Sequence, residues 1–187
     1  MAKKPNGIEQ RIETAVNEAV PLYIIYGYKY NFGNVPKIVL VSKNLNEVKD
    51  KMKEIIENEF DSSKRSYNAY EINSVSSGVV CTPLLLKLNE QAKGGKQGLI
   101  KSIDELESFS FCIYESAETG NALIFESSSA ADTKATLKRI IKTESKAETK
   151  SNKEYSVSLY MPYERITRSN DFITLCTFGT AEITKGK

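Results

Sequence analysis

The sequence predicts an α+β fold with a tandem ββαββ duplication, in which mainly antiparallel sheets are covered by two or three amphipathic helices. The first observation behind this prediction is a pattern of two apolar strands and an amphipathic helix over residues 21–60, which returns over residues 109–143. The second is a constant separation of 85 positions between matching apolar residues, which pair as Val39 with Ile124, Met52 with Leu137, Ile55 with Ile140 and Ile56 with Ile141. A polar gap and two more strand-like segments follow each helix.

A glycine-rich segment separates the predicted repeats. Residues 89–98 contain three glycines and no apolar cluster, which is typical of a linker. We therefore expect an N-terminal helix plus the first ββαββ repeat over residues 1–93, and the second repeat over residues 99–187. A chain of 187 residues that is 40% hydrophobic can bury a core as two small domains or as one compact domain.

Cap residues and apolar spacing predict the helices. The first helix begins at Asn6, a favoured cap residue, and carries an apolar residue at every fourth position: Ile8, Ile12, Val16 and Val20. The second begins at Asn44, with Glu47 completing a capping box, and its predicted buried stripe is Leu45, Val48, Met52, Ile55, Ile56 and Phe60. A short helix over residues 102–108 begins with a second capping box, Ser102 and Glu105. Another helix follows residues 127–129.

Alternating residues predict the two faces of the first strand. Its even positions carry the larger apolar set, so we expect this face to be the core, with its last tyrosines reaching solvent: Leu22, Ile24, Tyr26, Tyr28, Tyr30 and Phe32. The next strand, residues 38–41, is apolar on both faces, which is typical of a central strand. Pro83 has no amide hydrogen to donate, so its strand is predicted to lie at an edge or to contain a bulge.

Charge and cysteine content limit the class of protein. Lysine plus arginine total 26 against 24 acidic residues, and the net charge of +2 is far below that of a dedicated duplex-binding protein. The longest uncharged apolar segment, residues 78–86, is too short to cross a bilayer, so we expect a soluble protein with no signal peptide, membrane span or membrane partner. Cys81, Cys112 and Cys176 lie in separate strand-like segments, which predicts reduced, buried thiols in the cytoplasm.

The absence of histidine argues against most enzymatic classes. It excludes histidine-dependent nucleophilic dyads and histidine-ligated zinc, and three separated cysteines do not form a four-ligand zinc site. We therefore expect no catalytic activity and no cofactor. The enzymatic alternative is a carboxylate-metal hydrolase, for which the candidate residues are Glu115, Glu118, Glu126 and Asp132. Solvated carboxylates in turns and helix caps are the other interpretation of these residues.

A basic helix and an aromatic strand suggest nucleic-acid binding as an alternative function. Lysines at every fourth position would line one face of the helix over residues 130–142, and aromatic residues on a sheet can stack on bases. The candidate nucleic-acid-binding residues are Lys134, Lys138, Arg139, Lys142, Lys146, Tyr28 and Tyr30. A solvated helix face and a tyrosine-containing core account for the same residues without any ligand.

The leading hypothesis is a non-catalytic binding or assembly module. Strands with few charges favour contact with a protein partner, or with a second copy of the chain, through sheet edges or a sheet face. No catalytic group of residues competes with this interpretation in the sequence.

Overall fold

The computed structural model describes residues 7–29, 35–77, 79–88, 94–147, 152–160, 162 and 172–185. Its elements, in chain order, are α1 Gly7–Glu18, β1 Leu22–Tyr28, β2 Lys37–Ser42, α2 Leu45–Glu59, β3 Ala69–Ser76, β4 Val79–Lys87, α3 Gly95–Asp104, β5 Ser110–Ala117, β6 Gly120–Ser127, α4 Ala130–Glu144, β7 Glu154–Tyr160, β8 Phe172–Gly179 and α5 Thr180–Lys185. The strands form two four-stranded antiparallel sheets, ordered β2-β1-β3-β4 and β6-β5-β7-β8. The predicted α+β fold is confirmed, and the ββαββ order occurs twice.

The described residues divide into two compact units with one sheet each. Positions 21–108 form the unit that contains the first sheet, α2 and α3. The other unit combines α1 with the second sheet, α4 and α5. In each unit the long helix of the ββαββ repeat covers one face of the sheet, and its apolar residues Met52 and Ile56, or Leu137 and Ile141, are buried there.

The two remaining long helices each pack in the unit of the other repeat. The first helix, α1, precedes the first repeat in sequence but contacts α4 and β8, whereas α3 precedes the second repeat and contacts α2 and β4. The buried residues are Ile8, Ile12 and Val16 in α1, and Leu99 and Ile103 in α3. This grouping differs from the predicted division at residues 93 and 99, because an apolar stripe specifies that a helix is covered but not which element covers it.

The helix α3 begins earlier than predicted. It starts at Gly95, inside the segment predicted to be a linker, and Gly94 precedes it with a left-handed φ of 77°. Glycine adopts this conformation without the steric strain of a side chain. Ser102 lies within the helix, where its hydroxyl donates to the carbonyl of Gly98 at 3.0 Å, so it is not the N-cap. The four-residue spacing of Leu99 and Ile103 provides the buried stripe.

The prediction for the buried face of β1 is wrong. The odd residues Tyr23, Ile25 and Gly27 are buried, whereas Leu22, Ile24 and Tyr26 are only half-buried. Tyr23 and Ile25 lie opposite Ser74 and Ile72 of β3, which are also fully buried. The strand face with the larger set of apolar residues is therefore not the buried face. Both faces of this sheet carry large apolar residues, so their number alone does not identify the core.

The prediction that residues 38–41 form a central strand is also wrong, because β2 lies at the edge of its sheet. Ile38 and Val41 share the outer face and are 62% and 47% exposed. Val39 is an extra residue between the pairs Ile25–Leu40 and Tyr26–Ile38, which makes it the centre of a bulge. A strand that is apolar on both faces can therefore be an edge strand when the outer face of its sheet is apolar.

All four edge strands contain a register shift. The extra residue is Val39 in β2, Ile124 in β6 and Leu175 in β8, and in β4 both Thr82 and Pro83 lie across from Asn73. The strand of Pro83 was predicted to lie at an edge or to contain a bulge. This prediction is confirmed, because β4 is an edge strand and its register shifts at Pro83. Bulges interrupt the hydrogen-bonding ladder and oppose the addition of a further strand.

Both long helices begin with a side-chain cap and with a serine of the preceding strand that accepts from the amide of the cap residue. The side chain of Asn44 accepts from the amide of Asn46, and that of Ser129 accepts from the amide of Asp132. Glu47 accepts from the hydroxyl of Ser42 in the preceding strand, so it does not complete the predicted capping box with Asn44. The amide of Asn44 donates to Ser42 Oγ at 3.0 Å, and the equivalent bond from Ser129 to Ser127 has the same length.

The described thiols are free. Cys112 is buried and Cys176 is half-buried, and burial raises the pKa of both. The side chain of Cys81 lies outside the described residues. No helix in the described part of the chain is both long and apolar enough to span a bilayer.

Candidate binding surface

The outer face of the first sheet, opposite the face covered by α2, is largely apolar. The register places Ile38 beside Tyr26, Val41 beside Ile24, and Val80 beside Val75. We call this surface the outer face and define it by its members, which are Leu22, Ile24, Tyr26, Ile38, Val41, Glu71, Asn73, Val75, Val80, Thr82 and Leu85.

The outer face exposes large aliphatic side chains. Leu85 is 56% exposed and Val80 is 45% exposed, both on β4, and Ile38 and Val41 on β2 are exposed to a similar degree. The half-buried side chains of Ile24 and Tyr26 lie between these two edge strands. Several large aliphatic side chains exposed on one sheet face are typical of an interaction site, whereas single exposed apolar residues are normal.

A short chain of hydrogen bonds crosses this apolar surface. Tyr28 donates from its hydroxyl to Glu71 Oε2, and the hydroxyl of Thr82 lies 2.7 Å from Asn73 Oδ1 and 3.4 Å from Glu71 Oε1. Burial, and then the bond to Glu71, raises the pKa of Tyr28 to about 12. The carboxylate of Glu71 is therefore engaged by neighbouring hydroxyl groups.

The second sheet has the same strand order and matching register shifts, but a different outer face. Glu126 lies beside Cys112 where the first sheet has Val41 beside Ile24. Thr177 lies beside Ser156 where the first sheet has Leu85 beside Glu71. Leu123 keeps the exposed apolar character of the matching Ile38, with 49% exposure. The fold itself therefore does not require aliphatic residues at the positions of Val41 and Leu85.

The predicted nucleic-acid-binding residues of the second repeat divide into lysines that contact α1 and basic residues that are exposed. Lys138 forms an ion pair of 2.5 Å with Glu13, and Lys134 Nζ donates to Asn17 Oδ1 at 2.8 Å, so both lysines contact α1. Ion pairing raises the pKa of Lys138 and lowers that of Glu13. The remaining basic candidates, Arg139, Lys142 and Lys146, are exposed.

The structure describes one of the two tyrosines that were predicted to bind nucleic acid. Tyr28 is buried, with 7% exposure, and its hydroxyl is bonded to Glu71. The side chain of Tyr28 therefore does not reach solvent as predicted. Tyr30 lies outside the described residues.

The predicted carboxylate candidates have separate surroundings. The hydroxyl of Tyr155 lies 3.0 Å from Glu115 Oε2, and Glu115 forms an ion pair of 3.2 Å with Lys153. The side chains of Glu118, Glu126 and Asp132 are exposed. Within the described ranges, no three His, Cys, Asp or Glu side chains group closely enough to hold a metal ion. The hydrolase alternative therefore has no assembled site among these residues.

No protein-family model, curated protein or solved structure matches this chain. A function must therefore follow from the surface chemistry of the chain itself. The residues that sequence reasoning missed are Ile38, Val41, Val80 and Leu85, which share the outer face only through the strand pairing. For Ile38 and Val41, the signal in the sequence was that residues 38–41 are apolar on both strand faces. That pattern predicted a central strand, whereas β2 lies at an edge.

Proposed function

We propose that this protein is a non-catalytic binding module that engages a protein partner through the outer face of the first sheet. The observation that carries the proposal is the difference between the two sheets. The second sheet has Glu126 and Thr177 at the positions that Val41 and Leu85 occupy in the first sheet, although the strand order of the two sheets is the same. Exposed aliphatic residues that folding does not require are typical of a contact surface.

The register shifts favour a sheet face over a sheet edge as the contact surface. Strand addition needs an uninterrupted row of amide and carbonyl groups, and each edge strand contains a shift. In β4, Pro83 also lacks an amide hydrogen. A partner that packs on the side chains of Ile38 and Leu85 does not depend on this ladder.

The proposal includes a reducing, cytoplasmic location. The free thiols of Cys112 and Cys176 are compatible with such a compartment, where disulfides are rare. Both thiols also have a raised pKa, which lowers the fraction of reactive thiolate at neutral pH.

Quantitative affinity purification from the cells that produce the protein tests the proposal. The test variant is Ile38→Lys with Leu85→Lys, which places two charges on the outer face. The matched control is Leu123→Lys with Thr177→Lys, at the equivalent positions of the second sheet. We expect the test variant to lose a partner that the wild type and the control both retain. Equal recovery of every protein by all three forms contradicts the proposal, provided that circular dichroism shows the variants to be folded.

A further inference from the structure

We propose that copies of this chain associate with one another through oppositely charged faces of α2 and α4. The two helices are equivalent elements of the repeats, since each has 15 residues and their first residues, Leu45 and Ala130, lie 85 positions apart. One face of α2 and of the turn after it carries an acidic stripe, whose exposed members are Asp50, Glu54, Glu57 and Asp61. The equivalent face of α4 carries a basic stripe, whose exposed members are Arg139, Lys142 and Lys146.

The charge is reversed at three matching positions. The pairs, each separated by 85 positions, are Glu54 with Arg139, Glu57 with Lys142, and Asp61 with Lys146. Spacings of three and four residues place the members of each stripe on one helical face. Other charges keep their sign between the two helices, namely Glu47 with Asp132, Lys49 with Lys134, Lys53 with Lys138, and Glu59 with Glu144. The reversal is therefore confined to the stripes.

The stability of the helix itself does not explain the acidic stripe. Cations near a helix C-terminus interact favourably with the helix dipole, and anions there interact unfavourably. The basic stripe is therefore favourable for α4, which has Lys142 in its last turn. In α2 the equivalent residue is Glu57, and the last turn contains no basic residue. The acidic stripe thus opposes the dipole of its own helix, which indicates another role for its charge.

Both stripes can accept a charged partner. The three members of the basic stripe take part in no ion pair among the described residues. In the acidic stripe, Glu54 pairs with Lys51 at 2.9 Å and Glu57 pairs with Lys96 at 2.6 Å, but the two glutamate side chains remain 58% and 54% exposed. A carboxylate accepts more than one hydrogen bond, so these glutamates can still bind a further cation.

A second copy of the chain has the complementary charges at the right spacing. The last three members of the acidic stripe and the three members of the basic stripe each span about 10 Å, at 1.5 Å per helical residue. When α2 of one copy lies beside α4 of another, each acidic residue can therefore meet a basic one. The two surfaces differ, so the contact is heterologous. Exposed ion pairs are individually weak and are screened by salt, and we expect a weak, salt-sensitive association.

Sedimentation velocity of the full chain tests the inference. At low salt, we expect the weight-average sedimentation coefficient of the wild type to rise over about a hundredfold increase in protein concentration, because the association is weak. Added salt should return this coefficient to the value of the dilute protein, since salt screens exposed charges. An apolar contact between copies would not be weakened by added salt in this way.

Charge reversals test whether the stripes are the contacts. Arg139→Glu with Lys142→Glu puts acidic residues on both helices, and Glu54→Lys with Glu57→Lys puts basic residues on both. We expect each variant alone to associate at least about tenfold more weakly than the wild type, whereas an equimolar mixture of the two should associate again.

The matched control is Lys43→Glu with Lys64→Glu. It changes the net charge as much as the reversal of the basic stripe does, but at exposed lysines outside both stripes. We expect it to associate as the wild type does. Circular dichroism establishes that each variant is folded.

Three results would overturn the inference. The first is a wild type that sediments as a monomer over the whole concentration range at low salt. The second is self-association that neither charge reversal weakens, and the third is a mixture of the two folded variants that fails to associate. If the monomeric wild type instead binds a single-stranded oligonucleotide in fluorescence anisotropy, and the reversal of the basic stripe abolishes this binding, the basic stripe contacts nucleic acid.

The inference does not depend on the proposed function. Within its unit, α2 contacts β1 and β2 on the sheet face opposite the outer face, so association through the stripes leaves the outer face accessible. The outer-face variant Ile38→Lys with Leu85→Lys should therefore lose the protein partner but still self-associate. If this variant no longer self-associates and the charge reversals have no effect, the outer face is the contact between copies, and the inference from the stripes is wrong.

Discussion

The hydroxyl of Tyr155 donates to Glu144 Oε1 at 2.8 Å, and this contact ties the last residue of α4 to the second residue of β7. The first repeat contains the same bond at the same length, from Tyr70 to Glu59. The residue numbers 59 and 144, like 70 and 155, differ by 85, the separation found in the sequence. A carboxylate at a helix C-terminus is unfavourable for the helix dipole, so its occurrence in both repeats indicates that the tyrosine bond offsets this effect.

Removing either tyrosine hydroxyl should destabilise the fold. Tyr70 and Tyr155 are 1% and 2% exposed, and we expect Tyr70→Phe and Tyr155→Phe each to lower the free energy of unfolding by about 1–2 kcal/mol, because a bond to a charged partner is lost. Urea denaturation measures the change. The control is Tyr26→Phe on the outer face, with an expected effect within about 0.5 kcal/mol. Equal effects of all three substitutions would contradict a specific role for the tyrosine–glutamate bonds.

Stability should decline at alkaline pH. Burial and carboxylate hydrogen bonds raise the pKa of Tyr28 from 10.0 to about 12, and they also raise the pKa of Tyr70 and Tyr155. The folded state therefore retains these protons more strongly than the unfolded state. The resulting stability is complete below pH 10 and is lost as the pH rises through about 12 for Tyr28. Urea midpoints measured across this interval should fall less steeply in Tyr28→Phe than in the wild type. Identical slopes would contradict this assignment.

Shortening a buried residue of α1 should affect the second repeat. Ile12 is 2% exposed in the unit that contains α4, and we expect Ile12→Ala to lower the free energy of unfolding by about 3 kcal/mol. Hydrogen exchange should accelerate in α4 and β8, which α1 contacts, more than in α2. The matched variant Ile103→Ala in α3 should accelerate exchange in α2 instead. Faster exchange of α2 in Ile12→Ala, with α4 unchanged, would contradict the grouping of the helices.

Arg65 should be important for closing the end of α2. Its guanidinium donates to the carbonyls of Glu59 at 3.0 Å and Phe60 at 2.6 Å, and also to that of Leu88. These contacts satisfy carbonyl groups that a helix end leaves without intrahelical partners. We expect Arg65→Met to lower the free energy of unfolding by about 2 kcal/mol, and the exposed control Lys64→Met to change it by less than about 0.5 kcal/mol. Thermal and urea denaturation of the two variants provide the comparison.

The sequence predicted the repeated elements because helix periodicity is local. Met52 and Ile56, and their matches Leu137 and Ile141, are buried as the spacing indicated, although Ile140 is only half-buried where Ile55 is buried. Val39 and Ile124, which the sequence also paired, are the extra residues of equivalent bulges. Local pattern and separation therefore identified most of the ββαββ unit.

Non-local packing accounts for the features that were not predicted. Lys134 and Lys138 looked like a solvent-facing stripe because their partners Asn17 and Glu13 lie on a helix more than 100 positions away. The order of strands in the sheet is likewise not contained in the pattern of any one strand. For this reason the exposed pair of Ile38 and Leu85, on opposite edges, could not be recognised before the topology was known.

Site-specific photocrosslinking from the outer face tests directly whether this face contacts a protein partner. A photoreactive phenylalanine derivative replaces Leu85, which is exposed, and the control places it at Thr177, the matching position in the second sheet. After irradiation in the producing cells, mass spectrometry identifies the crosslinked peptides. We expect a discrete protein crosslink from position 85 that is absent from position 177. Equal crosslinking from both positions, or none from position 85 in folded protein, would contradict it.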